Sequence, residues 1–443
     1  VEATMDVRAG DDKGRIYRVV PRGGLPMVRP RLATADLPTL VAGLARPNKW
    51  WRDTAQRLLV ERVDPAAVPL VAELLRTTDS ALGRVHALWT LDGLDALVVD
   101  EIATALADPE PGVRAQALVV AETRLAESAA LGEAIAAMAN DPDARVRMQV
   151  ALTLGGIDSP EASDGLRRVL ARDAGHRWTR YAALAGASDE ATQMLETLLA
   201  AEPTDAAAVT AGRLDAVRLL GAVAGASGDT GLTDIVPLAS RPGLTDAWRA
   251  TLLDGLADGL GRAEVTAVPE TVSGGLVLLL DTDVTPVVRA ALRVAAAVGL
   301  GELAARDRAL ERARRRAVDA GLPVDVRAEE IALLGLGGYA QVGETLLALM
   351  EPTAPPTLQA AAARALTILD GPARGTDALA RFRGYSAEVK GLVLDMLLRN
   401  RSFHEPLVAA LETGELTVGE LNLDLEQRRR LLRRSSDDIQ ARA

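Results

Sequence analysis

From about Ala35 to the C-terminus, apolar residues recur every three or four positions, the spacing of one buried helix face. Short polar turns cut this pattern into helix-length segments. The clearest turns are Asp108-Pro109-Glu110-Pro111-Gly112-Val113-Arg114 and Asp141-Pro142-Asp143-Ala144-Arg145-Val146-Arg147, and Arg147 follows Arg114 by 33 positions. That period predicts stacked helix pairs, none of which buries its apolar stripe alone. Within a unit, Asp serves as helix N-cap, Pro is tolerated in the first turn, and Val and Ala of Val-Arg-x-x-Ala share the buried face. The arginine points along the stack. It is expected to pair with the turn Asp of its own or the adjacent unit, partly exposed and worth about 0–1 kcal/mol. Leu118 is expected at a contact between units.

Aligning the position of Arg114 along the chain selects Arg52, His86, Arg114, Arg147, Arg180, Arg249, Arg289, Arg327, Gln359, Lys390 and Gln440. The fold class expected is therefore all-α, an α-solenoid of about eleven helix pairs. Residues 181–248 hold one degenerate unit, and Ser402 to Asp424 read as an insertion. Residues 1–31 differ from the rest: Arg15-Ile16-Tyr17-Arg18-Val19-Val20 alternates as a half-buried strand does, and Pro21 to Pro26 break it. A lone strand is not stable in water, so a sheet upstream of Val1 is expected to have held it. The resulting division is 1–31, strand and linker left from an upstream domain, and 32–443, the solenoid. With Val as residue 1, the chain reads as an excised or processed piece of something longer.

Composition sharpens this picture. Hydrophobic residues make up 49% of the 443, yet aromatics only 2%, so the core rests on Ala, Leu and Val, which suit thin, closely packed helical layers. A net charge of −11 disfavours a general nucleic-acid binder, which needs a surplus of Lys and Arg on one face. Zero cysteines exclude disulfides, thiolate zinc sites and covalent c-type haem attachment within this segment. The apolar run Leu276–Leu280 is cut by Asp281, well short of the roughly 18 residues of a membrane span.

The Asp-Pro-x-x-x-Val-Arg units at 108–114 and 141–147 resemble HEAT repeats, of the armadillo-like helical class. A narrower resemblance rests on Gly14-Arg15-Ile16-Tyr17-Arg18-Val19, then Pro47-Asn48-Lys49-Trp50-Trp51-Arg52 with Ala55-Gln56-Arg57-Leu58-Leu59, then His86-Ala87-Leu88-Trp89-Thr90-Leu91-Asp92-Gly93-Leu94. These occur in the same order in the multidomain, haem-binding, membrane-bound dehydrogenase-like proteins of planctomycetes and verrucomicrobia. That resemblance implies an exported, periplasmic parent in which a β-propeller, a HEAT segment and a C-terminal cytochrome c module follow one another. Ser436 to Ala441 would then start a further repeat. Cofactors are expected to be none in this segment, with haem c only in the missing C-terminal module; no Cys-x-x-Cys-His is present here.

No residue pattern announces a reaction, so no catalytic, cofactor-binding or metal residue is assigned. His86, His176 and His404 share no helix spacing suited to one metal. Gly335-Leu336-Gly337-Gly338 follows helical sequence and reads as a turn rather than a phosphate cradle. The candidate interaction or domain-junction residues are Trp50, Trp51, Arg52, Arg312, Arg315 and Arg316. Adjacent indoles cannot share one narrow stripe, so Trp50 or Trp51 is either a binding anchor or a seal at the junction with the upstream domain. Trp89, at helical spacing with Val85 and Leu88, reads as core. The cluster from Arg306 to Arg316, echoed at Arg428–Arg430 and Arg433-Arg434, reads as a phosphate or acidic-partner patch or as a solvated helix face.

The function expected is a non-catalytic HEAT-repeat scaffold of an exported redox protein, a monomer binding protein or adjacent domains of its own chain. The alternatives are a free-standing HEAT-repeat protein-binding adaptor, cytoplasmic in that case, and a HEAT-scaffold enzyme or nucleic-acid binder.

Overall fold

In a computed structural model, residue 22 and residues 30–186, 190–200, 211–300, 303–434 and 439 are described. The expected strand at 15–20 lies outside them, as do Gln440 and all of 436–441 but Ile439. Among the described residues there are twenty-five α-helices and no strand. The chain divides into two units, Val1–Leu131 and Gly132–Ala443.

The first unit holds three antiparallel pairs: α1 (Leu37–Gly43) with α2 (Lys49–Arg62), α3 (Ala67–Thr77) with α4 (Ala81–Gly93), and α5 (Val99–Leu106) with α6 (Pro111–Ala121). The division falls inside α7 (Ala129–Ala137), which precedes α8 (Ala144–Leu154). Next come α9 (Pro160–Asp173) and α10 (Arg177–Ala185), α11 (Ala191–Ala200) and α12 (Ala211–Ala226), α13 (Asp229–Ser240) and α14 (Asp246–Leu260). They are followed by α15 (Glu270–Leu280) and α16 (Thr285–Ala297), α17 (Ala304–Val318) and α18 (Val324–Leu334), α19 (Tyr339–Leu349) and α20 (Pro356–Ile368), α21 (Ala373–Ala380) and α22 (Ala387–Arg399). The helices α1–α22 thus follow one another as eleven consecutive couples among the described residues, close to the count of repeats expected from the sequence. The segment 402–424 adds α23 (His404–Glu412) and α24 (Val418–Leu421), and α25 (Leu425–Arg434) follows.

Within each unit the second helices of successive pairs pack on one another, α2 on α4 on α6 and, further on, α12 on α14 on α16. First helices form the other layer, as in α1 on α3 and α13 on α15. The shared interior is aliphatic: Val113, Ala117 and Leu118 of α6 and Val146, Val150 and Ala151 of α8 are all at most 1% exposed. These are the Val and Ala positions of the repeated turn motif, three or four residues apart on one face.

The repeated arginine does more than the sequence suggested. Nη1 of Arg52, Arg84, Arg114, Arg147 and Arg180 each donates to a carbonyl six residues earlier, 2.6–3.0 Å away, tying the inter-helix turn to the second helix. Two corrections follow. The unit at 81–93 places Arg84, not His86, at this position, because its turn is shorter. And Arg147 is not a partly exposed surface pair: at 5% exposure it grips Asp173, itself 4% exposed, through Nε and Nη2 at 2.6 and 2.7 Å. Arg84 holds Asp108 through the same two atoms at 2.6 and 3.0 Å. In both cases the carboxylate comes from the following unit, Asp108 from its inter-helix turn and Asp173 from the last residue of its first helix, α9. Asp108 and Asp141 also accept from the backbone N–H two residues on, at 2.8 Å, which shapes the turn itself. Where turns lengthen, Arg249 and Arg327 still reach back, to the carbonyls of Ala239 and Ala317. Gln359 substitutes with a bond to the carbonyl of Ala354.

One contact has a different cause. On α12 and α14, Gly221 and Gly225 face Gly255 and Gly259, each pair four residues apart. A Cβ on Gly255 would stand 2.1 Å from the Arg218 carbonyl oxygen, and one on Gly259 2.2 Å from that of Ala222. Backbone meets backbone here, so only glycine fits.

Candidate protein-interaction surface

The turn-tethering arginines fix where each second helix begins, and the residue two before the arginine is turned outward. In the first unit that residue is Trp50, 53% exposed, followed by Leu82, 52% exposed. Asn48 caps α2 by accepting from the Trp50 N–H at 3.0 Å. Trp51 is half-buried beneath, edge-on to Trp50 with ring centres 6.0 Å apart, and the Arg46 guanidinium lies 4.8 Å from its ring centre. Arg52 is buried, its Nη1 shared between the carbonyls of Arg46 and Pro47 at 2.7 Å. Of the three residues, Trp50 is thus presented to solvent and Arg52 is part of the turn.

A polar row runs beside them. His86 Nδ1 lies 2.6 Å from Gln56 Oε1, which makes Nδ1 the protonated nitrogen of the neutral ring, since an amide oxygen only accepts. Burial lowers the His86 pKa, and the charge of Arg52 adds to the effect. Trp89 is half-buried rather than core, its indole N–H donating to Gln116 Oε1 at 2.8 Å across α4 and α6.

In the second unit the same outward position carries Trp178, 66% exposed, with Tyr181 one turn on at 38%. Their rings meet edge to face at 6.4 Å, and the Arg177 guanidinium stands 5.2 Å from the Trp178 ring centre and 5.7 Å from that of Tyr181. Arg180 supports the cluster from below: Nη1 donates to the Ala174 carbonyl, Nη2 to Asp215 at 2.7 Å, and its guanidinium lies 5.4 Å from the Tyr181 ring centre. Large aromatic rings braced by cations in this way expose apolar area at little further entropic cost on binding, the composition of interface anchors. The sequence reading passed over this cluster. Its signal was there in Arg177-Trp178-Thr179-Arg180-Tyr181, two aromatics at i and i+3 with the tethering arginine between them.

The basic cluster on α17 is largely internal wiring. Arg312 donates to the carbonyls of Leu280 and Thr282 at 2.8 Å, Arg316 to buried Glu330 at 2.7 Å, Arg308 to Asp281 and Arg314 to Glu311. Arg315 alone of the three candidates there is exposed. Gly335 to Gly338 form the turn between α18 and α19.

His86 lies on α4, His176 stands just before α10, and His404 is buried on α23 beside the Leu398 carbonyl. Among the described residues no group of three or more His, Asp or Glu is placed to hold a metal ion, and no helix is long and apolar enough to cross a membrane.

Residues 99–188 match the HEAT repeats family. Solved structures extend the likeness in fold. Kap121p superposes with a TM-score of 0.58 at 12% identity, covering 89% of this chain and 48% of that one. Kap121p bound to Pho4p gives 0.57 at 11%, covering 91% and 50%, and the karyopherin Kap121p bound to the SUMO protease Ulp1p gives 0.53 at 10%, covering 89% and 48%. The chain therefore has the α-solenoid fold of these proteins and spans about half their length. No curated protein matches it by sequence.

Proposed function

We propose that this chain is a protein-binding HEAT scaffold that contacts its partner through the outward residues of its second helices, with Trp178 and Tyr181 as the anchor. The carrying observation is the Arg177–Trp178–Tyr181 cluster, two exposed rings held in fixed orientation by cations. The likeness in fold to Kap121p, solved with Pho4p and with Ulp1p, supports a protein as the kind of partner. Truncation of an anchor ring at an interface typically costs about 2 kcal/mol or more. Peptides selected by display against the purified chain are expected to lose at least tenfold in affinity on Trp178→Ala and to be unaffected by Arg315→Ala. Selected binders indifferent to both Trp178→Ala and Tyr181→Ala would overturn the assignment.

The motif order at 14–19, 47–59 and 86–94 supports a more specific setting, a scaffold segment of an exported, dehydrogenase-like redox protein in which Trp50 and Trp51 meet a neighbouring domain. Sequencing the parent gene tests it. A propeller upstream and Cys-x-x-Cys-His downstream are expected; a start codon directly before Val1 would rule this setting out.

A further inference from the structure

Most arginines of α8 to α12 are taken up by acids of the chain itself: Arg147 pairs with Asp173, Arg167 with Glu190 and Arg180 with Asp215. Two are not. Arg172, in the last turn of α9, and Arg177, the first residue of α10, are exposed and pair with no acid among the described residues. Arg177 is nevertheless held in place, because its guanidinium stands 5.2 Å from the Trp178 ring centre and 5.7 Å from that of Tyr181. Ring faces fix a guanidinium without neutralising it, so its charge and its N–H donors remain for an acceptor from outside.

The surface therefore joins two properties. Trp178, 66% exposed, and Tyr181, 38% exposed, offer apolar area, and the cation beside them has no counter-charge in a chain whose net charge is −11. The same combination occurs in the first unit, where exposed Arg46 lies 4.8 Å from the Trp51 ring centre, pairs with no acid among the described residues, and stands beside exposed Trp50. Rings with free cations suit either an acidic peptide carrying an apolar side chain or the unstacked bases of a single-stranded nucleic acid. The charge balance decides between them. A nucleic-acid backbone needs a groove of many cations to track it, whereas one or two guanidinium groups are enough for the carboxylates of a short peptide.

We propose that the Arg177–Trp178–Tyr181 surface recognises an acidic segment of a protein partner, with a large apolar side chain against the exposed rings and flanking carboxylates on Arg177 and Arg172. This rests on the scaffold reading above and adds to it the chemistry of the partner.

The test is a fluorescence-anisotropy titration of the full chain with a labelled, end-capped peptide centred on Glu-Glu-Phe-Glu-Glu. Its counterparts are Gln-Gln-Phe-Gln-Gln and Glu-Glu-Ala-Glu-Glu, and an oligouridylate serves as competitor. Saturable binding of the first peptide is expected, weakened roughly tenfold by loss of the phenyl ring and roughly fivefold or more by the glutamine exchange. Arg177→Gln should weaken the glutamate peptide by a similar factor and leave the glutamine peptide unchanged, a difference that mere disturbance of the fold would not produce. Arg172→Gln repeats the comparison at the second cation. Absence of saturation, equal binding of the glutamate and glutamine peptides, indifference to both arginine substitutions, or tighter binding of the oligouridylate would each overturn the proposal. Peptides selected by display that need Trp178 but carry no acids would also overturn it while leaving the scaffold reading in place. Selected peptides indifferent to Trp178→Ala and Tyr181→Ala would remove that reading itself.

Discussion

Removing Asp173 should destabilise the chain more than any surface change. The carboxylate is 4% exposed and takes two hydrogen bonds from Arg147, which is 5% exposed and whose Nη1 also holds the Asp141 and Pro142 carbonyls at 2.7 and 3.1 Å. Asp173→Ala leaves a guanidinium edge out of water with no acceptor, a loss of about 3–5 kcal/mol for one partner of a buried pair. Arg147→Ala strands the carboxylate instead and frees the two turn carbonyls, so its cost should fall in the same range. Because the two share one interaction, the double variant should cost less than the two singles together. Arg145→Ala, two positions away with its side chain 81% exposed, should leave stability unchanged and serves as control. Urea unfolding gives the global figure, and amide exchange in α8 and α9 locates it, since helix pairs in a stack open locally. Single losses below about 1 kcal/mol, the value typical of solvated pairs, would refute the burial argument.

Other consequences can be checked alongside. Gly255→Ala forces a Cβ to within 2.1 Å of the Arg218 carbonyl oxygen unless α12 and α14 part, so a loss of about 1–3 kcal/mol is expected in thermal unfolding; an unchanged midpoint would contradict the close approach. Leu118→Ala, at a site fully buried in the first unit, should cost about 2–5 kcal/mol by the same measurement. His86 has its pKa lowered by burial and by Arg52, so the folded state resists its proton. Stability from this site is therefore complete above the ordinary histidine pKa and declines as pH falls below it, levelling off below the lowered folded value. A urea midpoint followed against pH should show this decline, and His86→Gln should remove it.

Much of the fold could be read from residues alone because the repeat is enforced by burial. Val113, Val146 and their Ala partners recur at helical spacing since each pair needs the next to cover it. The α12–α14 contact was not legible in the same way. Gly221, Gly225, Gly255 and Gly259 read as helix-weakening residues, and only their facing backbones explain them. At the candidate surface, Trp50 was legible through its neighbour Trp51, whereas Trp178 was hidden because a lone Trp between arginines has the look of an amphipathic stripe.

The arginine ladder shows where local reading stops and why. Its turn-tethering half is local, six residues long from Arg52 to Arg180, and so is written into those units as a fixed spacing. Its carboxylate half lies 24 residues away for Arg84 and 26 for Arg147, at the far end of the intervening helix, where helix length rather than motif sets the register. A shift of one or two residues in that helix is enough to remove the acid. The turn at Thr78 stands where an acid for Arg52 would be by this spacing, and Arg52 Nε is buried without a partner. Supplying the missing group makes the point testable. Thr78→Asp is expected to bring a carboxylate to the Arg52 edge and to raise the unfolding midpoint of the first unit, by up to about 1.5–3 kcal/mol for a charge-assisted bond, with the gain abolished in Arg52→Gln. A Thr78→Asp variant no more stable than the parent, or equally stabilised with Arg52→Gln in place, would show that the ladder's second half is not set by the next unit's turn.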